Sequence, residues 1–329
     1  MTDSELTEAS QNEAEVPLSS AGTRLDAMAA ALFRDYSRSR LQRWIEAGYL
    51  TVNGESRKPR FKLLGGEQLE LRLPPDIQLQ SWEEALEDGS AKVQPTDLPV
   101  NYVHKDDDVF VINKPAGLVM HPAPGHRDDT LMKGVLYQYP MQQQLPRAGI
   151  VHRLDKDTSG LCVVAHSIRA HTSLVQQLQT RELGREYLAI VMGDPQQSGV
   201  IDEPIARHPK DRKRMAVVSG GKSARTHFVV LERFDGCALV SVKLETGRTH
   251  QIRVHMLHIG HPLLGDPVYG RATRTRRLSL PETAAQFSRQ ALHATRLSLV
   301  HPADNELMTY QCDMPSDMDL VLQVLRASA

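Results

Sequence analysis

The 329-residue chain has only three cysteines, Cys162, Cys237 and Cys312, widely separated and odd in number. They supply neither a disulfide framework nor a zinc site, and read as buried thiols of a reducing compartment. No run of about 18 apolar residues occurs, so no membrane-spanning helix is expected. Residues 1–20 are acidic and polar and lack the basic-then-apolar order of a secretory leader, and a cytoplasmic location is expected. A dinucleotide fingerprint and a complete P-loop are missing too; Gly220-Gly221-Lys222-Ser223 lacks the upstream glycine and reads as a turn. His250, His255, His258 and His261 include no helical His-Glu-x-x-His pair, so no metal is expected. His152-Arg153-Leu154-Asp155 is not a kinase catalytic loop, because there the Asp follows Arg directly and a Gly-rich loop precedes.

Net charge is also nearly absent, at -1, but this is an average over unlike segments. Residues 1–21 carry five acids and no base; residues 22–72 carry ten bases against six acids. Residues 76–108 hold nine acids and two bases, and residues 109–329 hold 27 bases and 20 acids. Two basic segments alternate with two acidic spacers. Local patches, not the whole-chain charge, decide whether a polyanion binds.

What is present divides the chain into four parts. Residues 1–21 have almost no large apolar residues and are expected to be a disordered acidic tail. Residues 22–75 read as a small module. Leu25, Met28, Ala29 and Leu32 share a helix face, Ser37 is placed to cap a second helix bearing Leu41, Trp44 and Ile45, and Asn53-Gly54 marks a tight hairpin. Arg38, Arg40 and Arg43 fall on or beside the exposed side of that second helix. Residues 76–99 begin after Pro74-Pro75 and read as an acidic linker with a short helix near Trp82 to Glu87. From residue 100 to 329, strand-like segments (Val109–Asn113, Leu161–Ala165, Tyr187–Met192, Thr226–Leu231, Ala238–Leu244, Arg296–Val300) outnumber helical ones (Ala170–Gln179, His250–His258). The expected fold class is α+β, with an extended, largely antiparallel mixed sheet carrying an active-site cleft.

Four strings concentrate chemistry. Gly149-Ile150-Val151-His152-Arg153-Leu154-Asp155-Lys156-Asp157-Thr158-Ser159-Gly160-Leu161 sets Arg, two Asp, Thr and Ser on a turn between apolar runs. Asn113-Lys114-Pro115-Ala116-Gly117-Leu118 ends a strand on a lysine and a turn. Gly184-Arg185-Glu186-Tyr187-Leu188-Ala189 opens a strand, and Glu245-Thr246-Gly247-Arg248-Thr249-His250-Gln251-Ile252-Arg253-Val254-His255 joins a strand to a helix beginning near Thr249. In order and content these strings resemble the signatures of the RluA-type pseudouridine synthases. Residues 22–75, with Arg24-Leu25-Asp26, Tyr36-Ser37-Arg38-Ser39-Arg40 and Thr51-Val52-Asn53-Gly54, resemble an S4 RNA-binding domain. The likeness runs from the S4-like start to Leu292-His293-Ala294 and His301-Pro302; Cys162 departs from it, standing where a larger apolar residue is expected.

The resemblance implies an isomerase. Pseudouridine formation breaks N1–C1′, turns the uracil and bonds C5 to C1′; reactant and product have the same atoms, so neither ATP nor a redox cofactor is required. It implies Asp155 as catalytic nucleophile and Arg253 as its ion-pair partner, a cation favouring the ionised carboxylate. It places Tyr187 against the target base and Arg153 on the RNA side of an extruded uridine. Arg24, Arg38, Arg40, Arg43 and Lys114 become candidate RNA contacts, giving position rather than sequence choice. The S4-bearing members point to large-subunit ribosomal RNA, free or in a pre-ribosomal particle; the helix 69 stem-loop is the expected target, with that of a second member type sharing most of these features left open. A monomer without membrane or cofactor is expected. The first step stays open between attack on C1′, addition to C6 and removal of the C2′ proton. A non-catalytic ribosome-assembly factor is the alternative, and the arginine-rich stretch 271–277 is either an RNA contact or a loop.

Overall fold

The computed structural model describes residues 13–33, 38–72, 95–122, 129–211, 214–270 and 280–328, apart from the side chains of 39, 40 and 43. It divides into two units, Met1–Asp88 and Gly89–Ala329. The expected cap Ser37, the linker helix near 82–87 and the stretch 271–277 lie outside the described residues. No described helix is long and apolar enough to cross a membrane.

In the first unit, β1 (Glu13–Glu15) is followed by α1 (Leu25–Leu32), α2 (Arg38–Glu46), β2 (Leu50–Val52), β3 (Glu55–Ser56) and β4 (Gln68–Leu71). The strands form one antiparallel sheet in the order β1-β4-β2-β3. Leu25, Met28 and Ala29 of α1 pack with Leu41, Trp44 and Ile45 of α2 onto Leu50, Val52, Leu69 and Leu71. Leu32 is only half-buried, and Phe33 takes its place in the core. Asn53 and Gly54 both have positive φ, 50° and 78°, the backbone that a two-residue hairpin between right-twisted strands needs. One expectation is corrected here. Within the tail 1–21 assigned to disorder, Glu13–Glu15 pairs with β4, and Val16, fully buried, joins the core. Polar composition hid a short edge strand, held by its ladder bonds and by Ala14 and Val16 against the core.

The second unit is built on β5 (Tyr102–Lys105), β6 (Val109–Lys114), α3 (Leu131–Gln138), β7 (Ser159–Ala165), α4 (Ile168–Thr180), β8 (Gly184–Met192), β9 (Ser198–Asp202), β10 (Ile205–Arg207), β11 (Met215–Val217), β12 (Arg225–Phe234), β13 (Cys237–Leu244), α5 (Gln251–His258), α6 (Glu282–Ala285), β14 (Leu292–Val300), β15 (Leu307–Gln311) and α7 (Ser316–Ala327). The large sheet runs β5-β6-β7-β14-β8-β13-β12-β9, with β15 also on β14, while β10 and β11 form a separate hairpin. Gln138 Nε2 donates to the Leu98 carbonyl at 3.4 Å, so the last residues of the expected linker pack on α3 and belong to this unit.

Every pairing in the large sheet is antiparallel except β7 with β14, through His293–Ser159 and Ala294–Gly160. At that junction Gly160 has φ +110°, and a Cβ there would stand 2.2 Å from the Ala294 carbonyl oxygen. Only glycine permits this approach, which sets the start of β7 beside β14. One face of the sheet is covered by helices. Val109, Val111, Leu161, Val163, Leu297 and Leu299 pack with Ala170 and Leu174 of α4. Ile190, Met192 and Leu239 pack with Met318, Val321, Leu322 and Leu325 of α7. By strand alternation, Tyr187 and Ala189 of β8 point to the opposite face, where the polar strings assemble.

Candidate active site

The turn before β7 is tied down from several sides. His152 Nε2 accepts from the Val163 amide at 3.0 Å, and the Thr158 amide closes a turn on the Asp155 carbonyl at 3.1 Å. Arg289 Nη1 donates to the Asp157 carbonyl (3.1 Å), and Gln290 Nε2 to Thr158 Oγ1 (3.2 Å). Lys114 completes the fastening. Its side chain has no exposed surface, and Nζ donates to the carbonyls of Pro115, Leu118 and Lys156 at 2.8, 2.9 and 2.9 Å. This corrects its assignment as an RNA contact: all three ammonium protons are already engaged inside the protein.

Held this way, Asp155 presents its carboxylate to α5. Arg253 Nη1 donates to Asp155 Oδ2 at 2.9 Å, 98 residues away in sequence. The other edge of the guanidinium binds Asp266, Nε to Oδ2 at 2.7 Å and Nη2 to Oδ1 at 3.0 Å. Asp266 is fully buried; its Oδ1 also accepts from the amides of Val268 and Tyr269, both at 2.9 Å. Burial alone would depress the Arg253 guanidinium, but hydrogen bonds and charge from Asp266 and Asp155 raise it overall. Arg253 is therefore a fixed cation, and Asp155, 16% exposed, is the carboxylate of the two that a ligand can reach.

Helix α5 begins at Gln251 rather than near Thr249, because His250 takes a left-handed backbone at φ 58° and stops the helix there. Gln251 holds the preceding turn: its Oε1 accepts from Thr246 Oγ1 (2.8 Å) and the Arg248 amide (3.0 Å). His250 lies with Nε2 4.0 Å from Asp155 Oδ1. The Met215 amide donates to Tyr269 Oη at 2.9 Å, leaving the hydroxyl proton to donate to His250 Nδ1, also 2.9 Å. Burial lowers the His250 pKa, so the ring is neutral with its remaining proton on Nε2, facing Asp155. Arg253 and Arg214 both sit over the Tyr269 ring, at 5.0 and 5.2 Å from its centroid.

Tyr187 is buried on the cleft face of β8, and burial, with the Asp155 charge nearby, keeps its hydroxyl protonated against the opposing pull of Arg185. Arg153 is exposed, and its charge reaches His250 beside Asp155. In the S4-like unit Arg24 and Arg38 converge on the fully buried Asp26 carboxylate, at 2.8 and 3.0 Å, where Gln42 Nε2 also donates. Two cations share one anion, and both keep a large part of their side chains exposed. The side chains of Arg40 and Arg43 lie outside the described residues. His255 is engaged by Thr226 Oγ1 and the Glu203 carbonyl, and His261 by the Met192 carbonyl, so these rings serve as structural hydrogen-bonding groups.

Residues 108–258 match the model of the RNA pseudouridylate synthase family, and residues 23–69 that of the S4 domain. A protein of Pseudomonas aeruginosa named ribosomal large subunit pseudouridine synthase D is 49% identical over 319 residues, covering 96% of each chain. Its namesake from Pasteurella multocida is 47% identical over 318 residues, 95% of this chain and 94% of its own. The chain belongs to the RNA pseudouridine synthases. Among solved structures the synthase is similar to human RNA pseudouridylate synthase domain containing 1 (29% identity, TM-score 0.51, 70% of this chain and 95% of that one). It is also similar to domain containing 4 (26%, TM-score 0.53, 75% and 97%). The synthase has two site residues to which sequence reading assigned no role, Asp266 and Tyr269. Both lie in Gly265-Asp266-Pro267-Val268-Tyr269-Gly270, whose Gly and Pro announce a turn but not that the turn reaches Arg253.

Proposed function

We propose that this synthase isomerises uridines of large-subunit ribosomal RNA, in the helix 69 stem-loop, with Asp155 as the nucleophile. The observation that carries the reading is the Asp266–Arg253–Asp155 chain: a reachable carboxylate held by a cation that is itself anchored by a buried acid. The names of the relatives support the RNA class, and their coverage of nearly the whole chain supports the same domain content. Residues 22–75 and the exposed Arg24 and Arg38 supply phosphate contacts; residues 100–329 carry the chemistry.

The target uridine leaves its stack, at a cost of a few kcal/mol. Stacking on Tyr187 and support from Arg153 offset that cost. Asp155 then initiates cleavage of N1–C1′; the uracil turns, C5 bonds to C1′, and the C5 proton is lost while N1 gains one. The enzyme acts as a monomer and the reaction draws on no cofactor, because nothing is oxidised and no atom is added.

The test is release of tritium from RNA labelled at uridine C5, which occurs only if C5 becomes the glycosidic carbon. Wild type should release it with EDTA present, and Asp155→Asn should release none while binding RNA as before. Deleting helix 69 from the substrate should abolish release. No release by wild type from large-subunit RNA would overturn the reading.

A further inference from the structure

Among the described residues Arg185 is a buried cation without an anion. It is the second residue of β8, 6% exposed, on the same strand face as Tyr187. No described residue accepts a hydrogen bond from its guanidinium, and its Nε is buried without a partner. The other arginine buried at this site, Arg253, has two carboxylates. Leaving a buried guanidinium uncompensated is among the costlier arrangements a protein can hold, so its retention calls for a partner that arrives with the substrate.

The surroundings point the same way. His152 Nε2 accepts from the Val163 amide, which leaves the proton on Nδ1, and that atom too is buried without an acceptor. The Arg185 charge lies close enough to help burial depress the His152 ring to about 3. On the outer side, a Cβ at Gly247 would stand 2.6 Å from Arg185 Nη1. Gly247 has no positive φ to explain it; the guanidinium itself occupies the place that a side chain would take. Gly247 and its neighbour Arg248 are exposed, so Nη1 lies just beneath an open turn of the string 245–255. The arrangement is a desolvated, preorganised donor reached from the cleft edge, two residues from the tyrosine assigned to the base.

We propose that Arg185, its guanidinium seated against Gly247, is the anchor for a backbone phosphate of the target nucleotide. This rests on the reading of the cleft as the uridine site. A phosphodiester carries the permanent charge that a permanently unpaired guanidinium lacks, and arginine matches its oxygens in bidentate geometry.

The experiment uses the full-length enzyme and helix 69 stem-loop RNAs in which single phosphates flanking the target uridines are replaced by neutral methylphosphonates. With wild type, one such replacement should weaken binding by about 10- to 100-fold, the range of a hydrogen bond to a charged group. With Arg185→Met, all-phosphate RNA should bind that much more weakly, and the same replacement should cost nothing further. Gly247→Ala, which pushes the guanidinium aside, should reproduce the loss and not add to that of Arg185→Met. Turnover at saturating RNA should fall less than affinity, and Arg185→Met should raise the melting temperature, because it removes an uncompensated buried charge. A structural arginine would lower it. Equal methylphosphonate penalties in both enzymes at every position, or a loss of turnover with affinity unchanged, would overturn the assignment. Tritium release by wild type from the same RNA separates the failures: no release removes the catalytic reading, whereas release without coupling removes only the role of Arg185.

Discussion

Arg253 is divided unequally between two carboxylates: Asp266, fully buried, takes two of its nitrogens, and Asp155 takes one. Asp266 fixes where the guanidinium lies, and its own orientation is fixed by the amides of Val268 and Tyr269. Asp266→Asn keeps the shape but withdraws the charge that balances Arg253, letting the guanidinium shift toward Asp155. A misplacement of about 1 Å at a reacting group costs about 100-fold in rate. Asp266→Asn should therefore lower kcat by about that factor with RNA affinity nearly unchanged, whereas Arg253→Met should abolish turnover. Single-turnover tritium release alongside filter binding separates the two quantities. Full activity in Asp266→Asn would show that Asp155 needs no such support.

That chain of three residues marks how far the sequence could be read. Strands such as Val109–Asn113 and Leu161–Ala165 were legible because both of their faces are apolar and turns bound them. Helix α4 was legible from its stripe. The polar strands β9 and β15, with alternating exposure, and the hairpin β10–β11 were not, since edge and surface strands bury too little to impose a pattern. In the site, Asp155 and Arg253 stood in dense polar strings, but Asp266 stood in a turn, where an aspartate is commonplace. Lys114 was misread because a lysine after a strand is nearly always solvated; only the fold brings three carbonyls around its ammonium.

Lys114 makes the same point testable. Lys114→Met leaves the carbonyls of Pro115 and Leu118 without donors beneath the catalytic turn and takes from the Lys156 carbonyl one of its two, the Gly117 amide remaining. Each buried unsatisfied group costs about 1–3 kcal/mol, so the variant should lose at least about 2 kcal/mol of stability. It should also lose turnover, through a loosened Asp155, while binding RNA normally below its melting point. A selective loss of RNA affinity with stability intact would restore Lys114 as an RNA contact.

His250 predicts a pH profile. Its folded pKa lies below the ordinary 6.5 because burial disfavours the imidazolium. Protons therefore bind the unfolded chain more readily below pH 6.5, and stability from this group falls as the pH drops through that value. Activity should be level from pH 8 down to 6.5, since the neutral ring facing Asp155 persists, with an acid limb only below. Tyr269→Phe removes the hydroxyl that donates to Nδ1 and favours the neutral form. The limb should then move to higher pH, and the His250 ring signal in NMR should titrate at higher pH than in wild type. An unmoved titration would assign the His250 proton otherwise.

Asp26 gives the S4 unit its own acid response. Burial by itself would raise this carboxylate, but hydrogen bonds from Arg24, Gln42 and Arg38 outweigh it and hold the pKa at about 2 against an ordinary 3.8. A depressed carboxylate contributes stability that is complete above 3.8 and vanishes as pH falls through about 2. The interval from 3.8 to about 2 amounts to about 2 kcal/mol. Trp44 lies 2% exposed in that unit's core and reports its unfolding by fluorescence, once Trp82 is replaced by Phe. At neutral pH Asp26→Asn should lower the urea midpoint of the Trp44 transition by the equivalent of about 2 kcal/mol. Between pH 4 and 2 wild type should lose that advantage while the variant changes little. RNA affinity adds the functional reading, because Asp26 aims Arg24 and Arg38: if the asparagine variant binds RNA as well as wild type at 25 °C, the two arginines need no such holder to meet phosphate.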